Sequence, residues 1–125
     1  MKKIISVVVP CYNEEEVIKD FYTEVARVFE KLKNYKYELV FVNDGSNDKT
    51  LEILKELKKA DRDIKIISFS RNFGKESAIY AGLENSKGDL VVVIDADLQH
   101  PPAKIIDMVK GIEERIWCCN HNQER

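Results

Sequence analysis

Nowhere in the 125 residues does an apolar run approach the ~18 needed to cross a bilayer. The opening Met1-Lys-Lys-Ile-Ile-Ser-Val-Val-Val-Pro10 is basic and then apolar, as a signal peptide would be. Its apolar core is too short and acidic residues follow at once, so it reads as a first strand. Cysteine is scarce: Cys11, Cys118 and Cys119 are odd in number and sit at no metal-ligand spacing. That excludes a disulfide framework and makes a reducing, cytoplasmic compartment the expectation. Lys and Arg number 20 against 22 acids and are scattered among them, with no basic stripe, so nucleic acid is not an expected partner. Glycine is limited to five positions, none of which builds a phosphate cradle. Where a dinucleotide fold needs Gly-x-Gly-x-x-Gly, the chain has Val9-Pro-Cys-Tyr-Asn-Glu14. Where a P-loop needs a glycine five residues before Gly74-Lys75, it has Phe69. A pyrophosphate bound here would need a metal to meet its charge. There is also no internal repeat, linker or low-complexity segment.

What is present is a composition of 34% charged and 44% hydrophobic residues with a formal net charge of −2, that of one soluble globular domain large enough for a core. Ile4 to Val9 is a continuous β-branched run, the pattern of a strand covered on both faces, and it is expected to end at Pro10. Asn13 and Glu16 form an apparent capping box for a helix over 14–33, with Val17, Phe21, Val25, Val28 and Leu32 at helical spacing. Glu38 to Asn43 repeats the buried-strand signature and runs into a turn rich in cap residues, Asp44-Gly-Ser-Asn-Asp-Lys-Thr50. A second helix follows through Leu51, Leu54 and Leu57, then a strand over Ile64 to Phe69 and a short helix through Ala78, Ile79 and Leu83. Leu90 to Ile94 is the fourth strand, and Pro101-Pro102 suits the start of a helix with Ile105, Val109 and Ile112 on one face.

Strand-helix alternation four times over predicts an α/β fold: an open, mostly parallel sheet with helices on both faces. In such sheets ligands bind beyond the carboxyl ends of the strands. The unusual polar residues fall there: Tyr12, Asn13 and Glu14 after the first strand, Asp44 after the second, Arg71 and Lys75 after the third, Asp95 and Asp97 after the fourth. Asp95 and Asp97 stand one residue apart, so an extended backbone turns both to one side while Ala96 turns away. Paired carboxylates form a hard anionic site suited to Mg²⁺ or Mn²⁺, with Gln99 offering a neutral oxygen. The plain alternative is a pair of turn-formers closing a buried strand.

Four blocks in order, Val7-Val-Val-Pro-Cys-Tyr-Asn-Glu14, Val42-Asn-Asp-Gly-Ser46, Ser70-Arg-Asn-Phe-Gly-Lys-Glu76 and Asp95-Ala-Asp-Leu-Gln99, carry a resemblance to the nucleotide-binding half of the family 2 inverting glycosyltransferases. The branch they resemble most is that of the polyprenyl-phosphate sugar transferases, and the likeness covers about residues 3–110. The resemblance implies a GT-A, Rossmann-like fold. It implies a nucleotide-diphosphate sugar donor, Mg²⁺ or Mn²⁺, and a lipid-phosphate or saccharide acceptor, with the full-length relative at the cytoplasmic face of a membrane. By the same resemblance Pro10, Tyr12 and Glu14 would hold base and ribose, and Val42 and Asp44 would contact the base. Asp95 and Ala96 would lie against ribose and phosphates, Asp97 and Gln99 would join Asp95 around the metal, and Asp95 and Asp97 form the catalytic pair. Arg71 and Lys75 would neutralise phosphate or position Asp95. Plainer roles stand beside these: Tyr12 packed under a helix, Asp44 as a helix cap, Arg71 in a surface ion pair.

On this reading residues 1–114 form the donor-binding half, and 115–125 an atypical tail. Arg115-Ile-Trp-Cys-Cys-Asn-His-Asn-Gln-Glu-Arg125 lacks the family's Gly-Tyr-x-Val-Val pattern, yet reading one base later forces a glycine across Trp117-Cys118 and permits Val-Val after it. A frameshifted tail is therefore expected, with an ordinary divergent end as the alternative. An uncovered sheet edge would favour self-association. Two other readings are a nucleotidyltransferase, for which the first loop lacks the Gly-rich basic character, and a non-catalytic nucleotide-binding or assembly module.

Overall fold

The computed structural model describes residues 3–96. The elements run β1 (Lys3–Cys11), α1 (Ile18–Lys31), β2 (Tyr35–Asn43), α2 (Thr50–Ala60), β3 (Ile64–Ser68), α3 (Lys75–Glu84) and β4 (Leu90–Val93). All pairings are parallel and the sheet order is β3-β2-β1-β4. The α/β class with an open parallel sheet is therefore as expected. The order also reverses at β1: the chain builds outward through β2 and β3, then returns to β4 on β1's other side. Such a switch point leaves a crevice between diverging loops at the carboxyl edge.

Strand alternation divides the core into two layers. Ile5, Val7 and Val9 of β1 and Leu39 and Phe41 of β2 pack with Phe21, Val25 and Val28 of α1 and Leu54 of α2. Phe21 meets Phe41 edge-on at 6.3 Å between ring centroids. On the opposite face Val8, Val40 and Val42 meet Ala78 of α3. Helix α3 comes so close to β1 that a Cβ on Gly82 would lie 2.3 Å from Val8 Cγ1, which explains a glycine inside a helix.

Two local expectations are corrected. The strand does not stop at Pro10 but runs on to Cys11, paired with β2. Proline is tolerated because Val8 gives its carbonyl to Ile94 N–H on the β4 side. Two residues on, Pro10 presents its nitrogen to that same side, past the end of the β4 ladder, where no donor is needed. The capping box does not form either. Helix α1 begins at Ile18, and Asn13, at φ 53, turns its side chain to the next loop instead.

The amino edge of the sheet is held by Glu38. It accepts from Ser6 Oγ at 2.6 Å and Lys87 N–H at 2.9 Å, and pairs with Lys65 Nζ at 2.5 Å. Asp61 likewise accepts from the hydroxyls of Tyr22, at 2.7 Å, and Tyr37, joining α1 and β2 to the end of α2. Burial pushes both carboxyls up, but the bonds they accept outweigh it: those from Lys65, Ser6 and Lys87 hold Glu38 below the ordinary glutamate range, and those from Tyr37, Asp63 and Tyr22 hold Asp61 below the ordinary aspartate range.

In an exposed helix Gly→Ala stabilises by up to about 1 kcal/mol. Here Gly82→Ala is expected to destabilise by about 1–3 kcal/mol, seen as a lower midpoint in urea, because the methyl enters a filled core against a stiff valine. Carboxyls whose folded values are lowered stabilise fully above the unfolded range, and that stability is lost as pH falls through the folded values. Urea unfolding from pH 7 downward is therefore expected to show declining stability on the acid side, with a shallower decline in Glu38→Gln.

Candidate functional site

The crevice at the switch point is a cleft of about 180 Å³ lined by Pro10, Cys11, Tyr12, Glu14, Asp44, Lys75 and Asp95. Each wall comes from a different strand end, so the site is assembled by topology rather than by one motif. Tyr12 leaves the end of β1 and is 43% exposed. Cys11 is buried, its thiol directed at the carbonyl of Val9, and burial together with the nearby Glu14 and Asp95 pushes its titration well up. It is a packing thiol, not a nucleophile.

A lattice of short polar side chains fixes the first loop against the second. Asn13 N–H donates to Ser46 Oγ at 2.9 Å and Asn13 Oδ1 accepts from Asn47 N–H at 2.8 Å. Glu14 N–H donates to Thr50 Oγ1 at 2.9 Å, and Glu15 N–H to Asp48 Oδ2 at 3.2 Å. The turn between them needs Gly45: it sits at φ 68, and a Cβ there would fall 2.3 Å from the Arg71 carbonyl carbon. The sequence identified 44–50 as cap-rich but gave no sign that its partners lie in the loop after β1.

Asp44 is 4% exposed, and its own N–H is held by the Cys11 carbonyl at 2.8 Å. Its carboxylate reaches across to the loop before α3. Phe73 N–H donates to Oδ1 at 2.8 Å, Gly74 N–H to Oδ2 at 3.1 Å and Asn72 Nδ2 to Oδ2 at 3.3 Å. These bonds set where α3 starts, and its first residue, Lys75, places Nζ 2.7 Å from Asp95 Oδ2. The route from β2 to β4 thus passes over β1 through one buried carboxylate and one lysine.

The cleft brings together Pro10, Tyr12, Glu14, Asp44, Lys75 and Asp95. Three other expected residues lie elsewhere. The Val42 side chain is fully buried against Val8, Val40 and Ala78, within the core. Ala96 is 1% exposed and packs into the α1-side core, turned from the cleft as alternation from Asp95 requires. Arg71 is exposed with its guanidinium 4.9 Å from the Phe73 ring centroid, and among the described residues it neither lines the cleft nor forms the ion pair weighed as its plainer role. Asp97 and Gln99 lie outside the described residues, as does the 115–125 tail.

Among the described residues no three His, Cys, Asp or Glu side chains converge to hold a metal ion. Asp95 offers a hard carboxylate oxygen at the cleft, already paired with a cation, which fits it as one ligand of a Mg²⁺ or Mn²⁺ ion. Among the described residues no helix is long and apolar enough to cross a membrane.

The Asp44 staple has a measurable consequence. Asp44→Ala leaves the N–H groups of Phe73 and Gly74 without their acceptor, at an expected cost of about 1–3 kcal/mol in urea unfolding. Hydrogen exchange is expected to quicken at 72–75 in that variant while β1 and β2 stay protected.

Comparison with known proteins places this geometry. Residues 6–121 match the model of Glycosyl transferase family 2. The chain is 50% identical over 109 residues to an uncharacterized glycosyltransferase, YkcC, of Bacillus subtilis (strain 168), covering 87% of this chain and 33% of that protein. It is 54% identical over 97 residues to the bactoprenol glucosyl transferase of Shigella phage SfX, covering 78% and 32%. The chain thus spans about a third of the length of these relatives. Among solved structures, S. aureus TarS 1–349 in complex with UDP superposes with a TM-score of 0.65 at 27% identity, over 92% of this chain and 33% of that one. The Pyrobaculum calidifontis mannosyltransferase PcManGT, in complex with GDP-Man and Mn²⁺, shares the fold with a TM-score of 0.67 at 24% identity, over 78% and 28%. The sheet is that of the GT-A glycosyltransferases, and the chain belongs to glycosyl transferase family 2.

Proposed function

We propose that this chain forms the donor-binding half of a glycosyltransferase moving a sugar from a nucleotide-diphosphate sugar to a polyprenyl phosphate with inversion. The observation that carries the reading is the cleft itself: an exposed aromatic face on one side, and a helix start, a lysine and a carboxylate on the other, at the switch point of a parallel sheet. Its volume of about 180 Å³ is below the ~300–1,000 Å³ of a complete ligand pocket, so these residues take part of a donor. UDP-glucose, UDP-N-acetylhexosamine and GDP-mannose are the candidate donors. Support for the lipid-phosphate acceptor is the name of the bactoprenol glucosyl transferase relatives.

The residues divide the work by chemistry. Tyr12 offers its ring to a base, and Glu14 an acidic group to ribose hydroxyls. Asp44 anchors the loop before α3 and shares the same cleft. Lys75 and the first turn of α3 set a positive potential where a diphosphate would lie. Asp95, Asp97 and Gln99 would hold Mg²⁺ or Mn²⁺, which when bound stabilises as a Lewis acid the charge growing on the departing nucleotide diphosphate. An acceptor phosphate is already anionic and attacks the anomeric carbon from the face opposite the leaving group, without a strong general base. A hydroxyl acceptor would need a carboxylate base instead.

Calorimetric titration of UDP-glucose, UDP-N-acetylglucosamine and GDP-mannose, each in Mn²⁺ and in EDTA, tests this. One donor is expected to bind at least about tenfold tighter with the metal, equivalent to ~1.4 kcal/mol. Asp97→Ala is expected to erase the difference. Equal affinity in both buffers overturns the metal's role, and no binding of any donor overturns the donor-binding function.

A further inference from the structure

The Lys75–Asp95 pair does more than position a carboxylate. We infer that Lys75 is an exchangeable cation, holding Asp95 while the cleft is without a metal and passing to the donor's diphosphate when a divalent ion takes the carboxylate. This rests on the donor-binding reading above and adds the order and coupling of the binding events.

Lys75 Nζ lies 2.7 Å from Asp95 Oδ2, with the lysine side chain 60% exposed and the aspartate 27% exposed. An ion pair reached from solvent is weakly held, because water and salt screen it and the lysine's freedom opposes it. Mg²⁺ coordinates an oxygen ligand at about 2.0–2.1 Å, closer than an ammonium can approach. Both cations on one carboxylate would then stand a few ångströms apart, where like charges repel in a partly shielded cleft. One must leave, and the ammonium is the mobile one.

Where it goes is set by the fold. Lys75 is the first residue of α3, and the loop before it is tied to the buried Asp44 by two backbone N–H bonds. The backbone therefore stays while the four-carbon side chain swings, keeping Nζ within the cleft that Tyr12, Glu14 and Asp44 also line. Among the described residues lining this cleft, Lys75 is the one positively charged side chain, facing Glu14, Asp44 and Asp95. A nucleoside diphosphate brings the negative charge that a displaced ammonium lacks. Metal alone releases Lys75 to solvent, whereas metal with diphosphate gives the displaced ammonium a stronger anion than water or a screened carboxylate. The two ligands therefore bind cooperatively, and by linkage each raises the other's affinity by the same factor.

The test uses the 125-residue chain and its Lys75→Met and Lys75→Arg variants, with free Mn²⁺ measured by electron paramagnetic resonance and UDP and GDP titrated calorimetrically. Lys75→Met keeps length without charge at an exposed position, and an unchanged urea midpoint checks that the fold is kept. Mn²⁺ alone is expected to bind Lys75→Met several-fold tighter than wild type, while UDP or GDP at saturating Mn²⁺ binds it several-fold weaker. The factor by which the nucleotide raises Mn²⁺ affinity is expected to lie within about 5–150 in wild type and to fall in Lys75→Met. Lys75→Arg is expected to restore much of the competition. Unchanged Mn²⁺ affinity in Lys75→Met, with Mn²⁺-dependent UDP or GDP binding intact in wild type, overturns the exchange alone. Weaker Mn²⁺ binding in Lys75→Met also overturns it. Wild-type chain that binds neither Mn²⁺ nor nucleotide overturns the donor-binding reading and the exchange with it.

Discussion

The two parallel ladders flanking β1 are the constraint on which the site depends. Nine residues of β1 pair with β2 on one side and four with β4 on the other. From Ile5 to Val9 the strand is fully buried, so its register cannot slip without moving a row of side chains between layers. Because β4 lies beside β1 and not beyond β3, the loops after β1 and β4 part at a switch point instead of stacking in sequence. Asp95 reaches the cleft through that topology alone, since 50 residues of chain separate it from Asp44.

Within that frame the polar contacts differ in permanence, and burial decides which is which. Asp44 is nearly inaccessible and accepts from two backbone N–H groups and an amide. A buried carboxylate so satisfied is costly to disturb, because each donor left unpaired adds about 1–3 kcal/mol. The pair formed by Lys75 and Asp95 is open to water and sits in the class of contacts worth about 0–1 kcal/mol. The fold therefore spends its rigid interactions on placing backbone and leaves its weak one at the carboxylate that must change partners. Glu38, at the far edge, is half-buried and lies between the two kinds, held by Ser6, Lys65 and Lys87.

The fold was legible because its signals are collective. Uninterrupted Val and Ile runs mark strands covered on both faces, and the 3–4 spacing of Phe21, Val25 and Val28 marks the covering helix, so no single residue had to be right. Most of the cleft was legible for a related reason: Tyr12, Glu14, Asp44, Lys75 and Asp95 each follow a strand, and parallel sheets gather such residues at one edge. Alternation already turned Ala96 away from Asp95 in the sequence, and it packs into the core as that pattern requires. The direction of Val42 was not legible: it is buried two residues before Asp44, which stands past the end of β2 at Asn43, where the period of two no longer holds. Arg71 precedes Lys75 by four residues in an irregular loop, where no period applies, and its guanidinium settles on Phe73. Asn13 carries the chemistry of a helix cap, and only the fold reveals that Ser46 and Asn47 lie nearer than the helix's own first turn.

That last displacement bears on how the cleft works. Had Asn13 capped α1, the side chains of the loop after β1 would have tied it to its own helix, which the Glu14 carbonyl already meets at Val17 and Ile18 N–H. Bound to Ser46, Asn47 and Thr50, the loop is fixed to the one that Asp44 begins. Asp44 in turn fixes the start of α3. The three walls bearing Tyr12, Asp44 and Lys75 thus form one hydrogen-bonded body resting on β1 and β2. The fourth wall, after β4, joins it through the exposed lysine contact alone among the side-chain bonds described. A ligand bridging Tyr12 and Asp95 therefore spans from that body to the end of β4, where Ile94 and Ala96 are packed in the core and the carboxylate of Asp95 is held by the exposed lysine.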